Sequence, residues 1–330
     1  MYLLKAPIFL LGAHKSGTSF LRSLLDGHPA LAVLQKEGHY FQCAGCWTNY
    51  PARPPWRLRL DSHHITTTEW LKGLQREHQE GFDRFSDNPQ FHGYDLETAK
   101  SLFSKMRDAR SEAERMSLFL STLLRASSEP AFDGSRRVVE KSVEHAHFAP
   151  HLHVLFPDAY FLHIVRDPYT ALASFRRSRT AKRYPYLLPL ASSLERSLLQ
   201  VSCNQRILPR YRVIRYEDLA ANVKSEMDRV AEFLDIAKDP CLYQPTTAGQ
   251  SWTGNSTRVS STIEKTTVKS SAASHDPYDL EIHFINQKLI PLMGLLGYET
   301  RNPRYSPWRR MPREGMRTYV KNRAAYLARV

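Results

Sequence analysis

The residues with the clearest chemical promise form one loop, Gly12-Ala13-His14-Lys15-Ser16-Gly17-Thr18-Ser19. It follows a short apolar run, Ile8 to Leu11, and precedes Phe20, Leu21, Leu24 and Leu25, which recur at helical spacing. A loop between a strand and a helix N-terminus presents backbone N–H groups and the positive end of the helix dipole, so it suits a phosphate-like anion. Lys15 adds a cation and the hydroxyls add donors. A glycine turn that binds nothing is the alternative. The nucleotide loop G-x-x-x-x-G-K-[ST] has its lysine after the second glycine, whereas Lys15 comes before Gly17, which argues against an ordinary NTPase. Two other groupings suggest metal chemistry at first sight: Cys43 and Cys46 near His39, His63 and His64, and the run His145, His147, His151, His153. No second C-x-x-C completes the first and no carboxylate-rich pattern joins the second, so no metal is expected.

The elements that must carry the loop can be read from pattern. Asp26-Gly27-His28-Pro29 stops the first helix, and Leu31-Ala32-Val33-Leu34 reads as a second strand. Further strands begin at Val138-Val139, at Phe161 to Val165 and at Arg212-Val213-Ile214. The second of these runs into Asp167 as N-cap and Pro168 at the first helical position, and the last into a helix from about Glu217 to Leu234. Strands alternating with helices imply an α/β fold, a parallel sheet with helices on both faces. Residues from about 43 to 135 lack strand signals and show helical patterning around Leu96 to Met106 and Ala113 to Leu124. They read as a helical insertion that could shape an acceptor site. Gln244 to Ser274 is rich in Ser and Thr and reads as a long loop, followed by an amphipathic helix from about Leu280 to Leu296 closed by Gly297.

The chain has 330 residues, 42% of them hydrophobic, with only 14 Gly and 20 Pro, which excludes collagen-like and largely disordered proteins. The expected organisation is one domain over 1–300, with the insertion at about 43–135, and a basic tail at 301–330. The net charge is +13, and the tail holds eight arginines and Lys321 against the single acid Glu314. A basic excess of this kind suggests an anionic partner: nucleic acid, a membrane surface or a phosphorylated ligand. Met316, Tyr319, Val320 and Leu327 recur at roughly helical spacing, as in a basic interfacial helix; docking on an acidic surface of the protein or of a partner subunit is the competing reading. Four cysteines make no disulfide framework, and the apolar N-terminus is too short to span a bilayer. A cytoplasmic protein, peripheral to a membrane at most, is the expectation; trimming from a longer secretory-pathway enzyme stays open.

The segment PIFLLGAHKSGTSFLRSLLDGHP resembles the 5′-phosphosulfate loop of the P-loop sulfotransferases that use 3′-phosphoadenosine 5′-phosphosulfate. FLHIVRDPYTALASFRRSR resembles that family's 3′-phosphate motif, with Arg166 and Ser174 in its two positions. VVEKSVEHAHFAPHLHVLFPDA is similar to the E-K-[ST]-P stretch, although Val143 stands where Pro is usual. RYEDL, from Arg215 to Leu219, and SWTGNSTR, from Ser251 to Arg258, match later blocks more loosely. The resemblance implies a P-loop-type parallel sheet and a sulfuryl donor held by His14, Lys15, Ser16, Gly17, Thr18, Ser19, Arg166, Ser174, Tyr216 and Arg258. An arginine can fork two hydrogen bonds to a phosphate, and a serine two turns into the helix lies on nearly the same face as its first turn. A surface ion pair with Asp167 or a neighbour is the alternative for Arg166.

Sulfuryl transfer, like phosphoryl transfer, is mostly positioning and electrostatic stabilisation of an in-line displacement. Lys15 is the candidate to stabilise the leaving oxygen, with Lys141 at the sulfuryl oxygens; a solvated strand-end charge is the other reading of Lys141. The acceptor hydroxyl needs a base, and Glu37 emerges just after the second strand, at the sheet edge that carries Lys15. The position resembles that of the catalytic Glu in the carbohydrate and tyrosyl-protein sulfotransferase branches. His39 is the rival base, and pairing of Glu37 with Lys36 or an arginine is the structural alternative. Sugar, phenol and lipid hydroxyls all remain open as acceptors, with no nucleic acid expected. Competing functions are a small-molecule P-loop kinase, and a basic nucleic-acid or membrane module on an inactive P-loop scaffold.

Overall fold

Alternation within the first strand sets the architecture. In β1 (Ile8–Leu11) all four residues are buried, Ile8 and Leu10 in one apolar cluster and Phe9 and Leu11 in another. Successive strand residues face opposite sides, so a strand buried throughout must have a layer on each face. The computed structural model describes residues 3–43, 94–127, 132–143, 145–177, 187–252 and 279–303.

After β1 come α1 (Thr18–Leu25), β2 (Leu31–Val33), α2 (Tyr40–Cys43), α3 (Leu96–Ser104) and α4 (Glu112–Ala126). Next are β3 (Arg137–Lys141), α5 (His145–Leu155), β4 (Tyr160–Val165), α6 (Pro168–Arg177), α7 (Leu187–Ile207) and β5 (Tyr211–Arg215). The chain continues through α8 (Tyr216–Ala221), α9 (Val223–Leu234), a small hairpin of β6 (Thr246–Thr247) and β7 (Gln250–Ser251), and α10 (Asp279–Leu295). The main sheet has the order β2-β3-β1-β4-β5, and every neighbouring pair is parallel. The expected α/β architecture with helices on both faces is present.

One layer, with Phe9, Leu11 and Phe161 at the sheet, is built from Phe103 of α3, Phe119 and Leu120 of α4, and Ala149 and Leu152 of α5. The described part of the 43–135 segment is therefore a core layer as well as the link from β2 to β3. The opposite layer packs Leu21 and Leu24 of α1 and Met227 and Val230 of α9 on Ile8, Leu10, Leu162 and Ile164. A third cluster joins α6, α7 and α10 through Tyr169, Leu198 and Ile285. Among the described residues no helix is long and apolar enough to cross a membrane.

Two local expectations are corrected. The helix expected over Glu217 to Leu234 is two helices, because Asn222 leaves helical geometry (φ −147°, ψ 79°) and its side chain caps α9 by accepting from Ser225 N–H at 3.0 Å. The loop expected from Gln244 begins with the β6–β7 hairpin, turned by Ala248 and Gly249 at φ 50° and 72°. It is moored to Asp26, whose Oδ2 accepts from Thr246 Oγ1 at 2.7 Å and Gly249 N–H at 3.2 Å. Gly297 does close α10, at φ 69°. The tail beyond residue 303 lies outside the described residues, as do Cys46, His63 and His64.

Candidate active site

The loop after β1 is a tight turn built around the strand end. Ser16 is buried, and both its N–H (3.1 Å) and its hydroxyl (2.7 Å) donate to Ala13 O, so its polar groups serve the turn itself. Lys15 adopts φ 65°, a left-handed value that costs a non-glycine residue about 1 kcal/mol or more. That conformation leaves the Lys15 carbonyl to accept from Arg166 Nη1 at 3.2 Å. Gly17, at φ 106°, starts α1 without a side-chain cap, and the first turn of α1 has no acid. By contrast α3, α4 and α9 begin with Asp95, Ser111 and Asn222 as capping side chains. An uncapped N-terminus beside a cation, with Thr18 and Ser19 in its first turn, is suited to an anion. His14 is half-buried in the same turn.

Arg166 leaves the end of β4, the strand next to β1. Its Nε donates to Thr170 Oγ1 at 3.3 Å, and its guanidinium lies 4.1 Å above the Tyr216 ring. Tyr216, the first residue of α8, packs in turn against Gly17: a Cβ there would sit 3.1 Å from ring Cε2 and closer still to Cδ2. Asp167 caps α6 by accepting from Tyr169 N–H (2.7 Å) and Thr170 N–H (3.2 Å), and the ion pair it makes is with Arg301 at 3.5 Å. The surface pair with Asp167 that would have explained Arg166 away is thus taken by another arginine. Ser174 is half-buried on α6, one turn beyond Thr170, so the two hydroxyls share a helix face. Arg258 lies outside the described residues.

Glu37, Lys141 and His39 form a second grouping. Lys141, at the end of β3 and 2% exposed, pairs through Nζ with Glu37 Oε1 and donates to Ser19 Oγ at 3.4 Å. Glu37 Oε2 lies 3.1 Å from His39 Nε2. Lys141 is therefore buried and engaged rather than a solvated strand-end charge, and Glu37 pairs with Lys141 and His39 rather than with Lys36 or an arginine. Among the described residues no group of three or more His, Cys, Asp or Glu side chains is arranged to hold a metal ion. In the histidine run, His145 is buried beside Glu140 and His151 reaches Glu112 Oε2 at 3.1 Å.

Residues 7–240 match the sulfotransferase family profile, a span of more than two thirds of the chain. The chain belongs to the sulfotransferase family. A sulfotransferase domain from the olefin synthase of Synechococcus PCC 7002 has the same fold, with TM-score 0.57 and 20% identity over 90% of this chain and 97% of that one. The sulfotransferase domain from the curacin biosynthetic pathway superposes with TM-score 0.53 and 18% identity, covering 91% and 100% of the two chains. No curated protein shows significant sequence similarity to this sulfotransferase.

Thr170, which touches the Arg166 guanidinium, escaped the sequence reading, although the i, i+4 spacing of Arg166, Thr170 and Ser174 could have flagged it. Glu140 and Ser142 lie in the stretch similar to E-K-[ST]-P but drew no role from the sequence, since Gly38 and His39, whose N–H groups they accept from, lie more than a hundred residues away.

Proposed function

We propose that this sulfotransferase moves a sulfuryl group from 3′-phosphoadenosine 5′-phosphosulfate to an acceptor hydroxyl by in-line displacement. The observation that carries the reading is the contact between two anion-binding elements at the ends of adjacent strands: Arg166 of β4 donates to the backbone of Lys15 in the β1 loop. A simple nucleotide needs one such element, and a nucleoside with phosphate at both its 3′ and 5′ positions needs two.

In this reading the uncapped start of α1, with Lys15, Thr18 and Ser19, takes the 5′-phosphosulfate, and Arg166, Thr170 and Ser174 take the 3′-phosphate. Tyr216 holds the guanidinium from below. Glu37 is the base. A carboxylate has four lone-pair directions, and Lys141 and His39 each use one, which leaves room on either oxygen for the acceptor hydroxyl. Lys141 spans Ser19 and Glu37, so one cation sits between the donor loop and the base, where negative charge develops in the transition state. Lys15 stabilises the departing oxygen. The acceptor is a carbohydrate, phenol or lipid hydroxyl.

Calorimetric titration with adenosine 3′,5′-bisphosphate and with AMP tests the donor assignment. Arg166→Ala should weaken the bisphosphate by about 2 to 3 kcal/mol, the scale of a lost charged hydrogen-bonded contact, and leave AMP nearly unchanged. Equal losses for both nucleotides would remove the 3′-phosphate site from the reading and favour a kinase.

A further inference from the structure

The turn that carries Glu37 has no sheet to hold it. β2 ends at Val33, and the last ladder bond is Leu34 N–H to Val139 O at 3.0 Å. Beyond it, side chains take over the backbone donors. Gly38 N–H donates to Glu140 Oε1 at 2.9 Å, and His39 N–H donates to Ser142 Oγ at 3.0 Å. The Ser142 hydroxyl donates to the same Glu140 oxygen at 2.6 Å, so the two acceptors are tied together. Behind them His145 brings Nδ1 to 2.7 Å from Glu140 Oε2, near enough for attraction though out of line for a hydrogen bond.

Strand periodicity divides the labour at this end of β3. Glu140 and Ser142 face the layer of Phe9 and Phe119, while Lys141 between them faces α1 and Ser19. The 37–39 turn therefore straddles the strand, with the Glu37 side chain on the Lys141 side and the Gly38 and His39 backbone on the other. Glu140 is 1% exposed and Ser142 and His145 are fully buried, so none of them can reach a substrate in the way Glu37 can. A carboxylate taken this far from water costs several kcal/mol unless its lone pairs are used. An apolar side chain would pack against Phe9 without that cost. The geometry accounts for the acid differently: it accepts from Gly38 N–H and orients the Ser142 hydroxyl, which in turn accepts from His39 N–H, and His39 sits at φ 52°, a left-handed value that a non-glycine residue keeps only when its surroundings impose it. Gly38 admits the acid closely, since a Cβ there would lie 3.1 Å from Oε1.

We propose that Glu140, acting with Ser142, is a positioning residue that fixes the Gly38–His39 backbone so that the Glu37 carboxylate lies between Lys141 and His39. The proposal rests on the reading of Glu37 as base. The test is a set of purified full-chain variants, Ser142→Ala, Glu140→Leu and Glu140→Gln, each alone and with Glu37→Gln. Turnover at saturating donor and acceptor, acceptor KM, binding of adenosine 3′,5′-bisphosphate and thermal midpoint are measured for each. Ser142→Ala and Glu140→Leu should lower kcat about tenfold or more, since misplacing a reacting group by an ångström has effects of that size, with nucleotide affinity and KM held within about threefold. Glu140→Gln keeps an acceptor oxygen for Gly38 and Ser142 and should recover most of the loss. In the Glu37→Gln background the Ser142→Ala loss should disappear. Wild-type kcat in both Ser142→Ala and Glu140→Leu overturns the proposal, as does a Ser142→Ala loss that multiplies in full on Glu37→Gln. Should Glu140→Leu fail to fold, Ser142→Ala decides alone. If Glu37→Gln itself keeps full turnover, the base reading fails instead. Positioning of the turn then stands only if the Ser142→Ala loss disappears in a His39→Ala background.

Discussion

Replacing Gly17 by alanine should damage both the fold and the 3′-phosphate site, through one atom. At φ 106° an L side chain is strained whatever the space around it, at about 1 to 3 kcal/mol. The added Cβ would also press on Tyr216 Cδ2 and stand 3.2 Å from Ile164 Cδ1, so the Tyr216 ring must swing away. That ring lies 4.1 Å beneath the Arg166 guanidinium, and a cation over an aromatic face is worth about 0.5 to 2 kcal/mol. Gly17→Ala is therefore expected to lose about 2 to 3 kcal/mol of stability, roughly 3 to 4 °C in thermal midpoint for a chain of this size. Affinity for adenosine 3′,5′-bisphosphate should fall about tenfold, or 1.4 kcal/mol. Scanning fluorimetry and calorimetry read the two effects separately. Tyr216→Phe, which keeps the ring, should bind as wild type. The double variant Gly17→Ala with Tyr216→Ala should lose less than the sum of its parts, because the clash is gone. A Gly17→Ala protein that melts and binds like wild type, or a double variant that loses the full sum, would refute the reasoning.

Glu37→Gln keeps the shape of the proposed base and removes its basicity, so turnover should drop about a hundredfold while nucleotide affinity holds, measured by sulfur-labelled donor turnover. His163 is fully buried between Tyr211 OH (2.6 Å) and Ser197 Oγ (2.8 Å), and burial pushes its pKa down to about 3. The unfolded chain binds the proton near pH 6.5 and the folded one does not, so the stability held above that pH is lost as pH falls, at about 1.4 kcal/mol per unit until about pH 3. Unfolding free energies from urea titrations at pH 7 and pH 5 should differ by about 2 kcal/mol from this residue, a difference that His163→Gln should remove. Burial, helped by the Asp239 carboxylate, pushes the Cys241 thiol up to about 12, whereas Cys203 is exposed. Iodoacetamide at pH 8, followed by peptide mass mapping, should therefore modify Cys203 well before Cys241.

What could be read from the sequence was whatever is local. Ile8 to Leu11 announces a buried strand by composition, Asp167-Pro168 announces a helix start by capping chemistry, and Glu37 stands out as the first acid after β2. What could not be read depends on chain segments that meet only in three dimensions. Glu37 and Lys141 are 104 residues apart, and Gly38 and Glu140 are 102. No spacing rule foretells that β3 will place alternate side chains on two sides of the Glu37 turn. Asn222 and the Ala248-Gly249 turn were missed at shorter range, because an asparagine inside an apolar period and an Ala-Gly pair are weak breaks beside the Asn-Gly of a typical two-residue hairpin.

The strand order has a consequence for synthesis. β1 is central, and it acquires its neighbours from the registers Ile8↔Val139 and Ile8↔Tyr160, while β2, the next strand made, lies beyond β3 at the sheet edge. Closing a loop of this length costs about 2 kcal/mol more entropy than closing a ten-residue one, and it must be met before any ladder bond forms. β1 thus waits with both edges unpaired until β3 and then β4 have been made. A translational pause before residue 137 would hold Ile8 to Leu11, four apolar residues, with both hydrogen-bonding edges open to strands of other nascent chains.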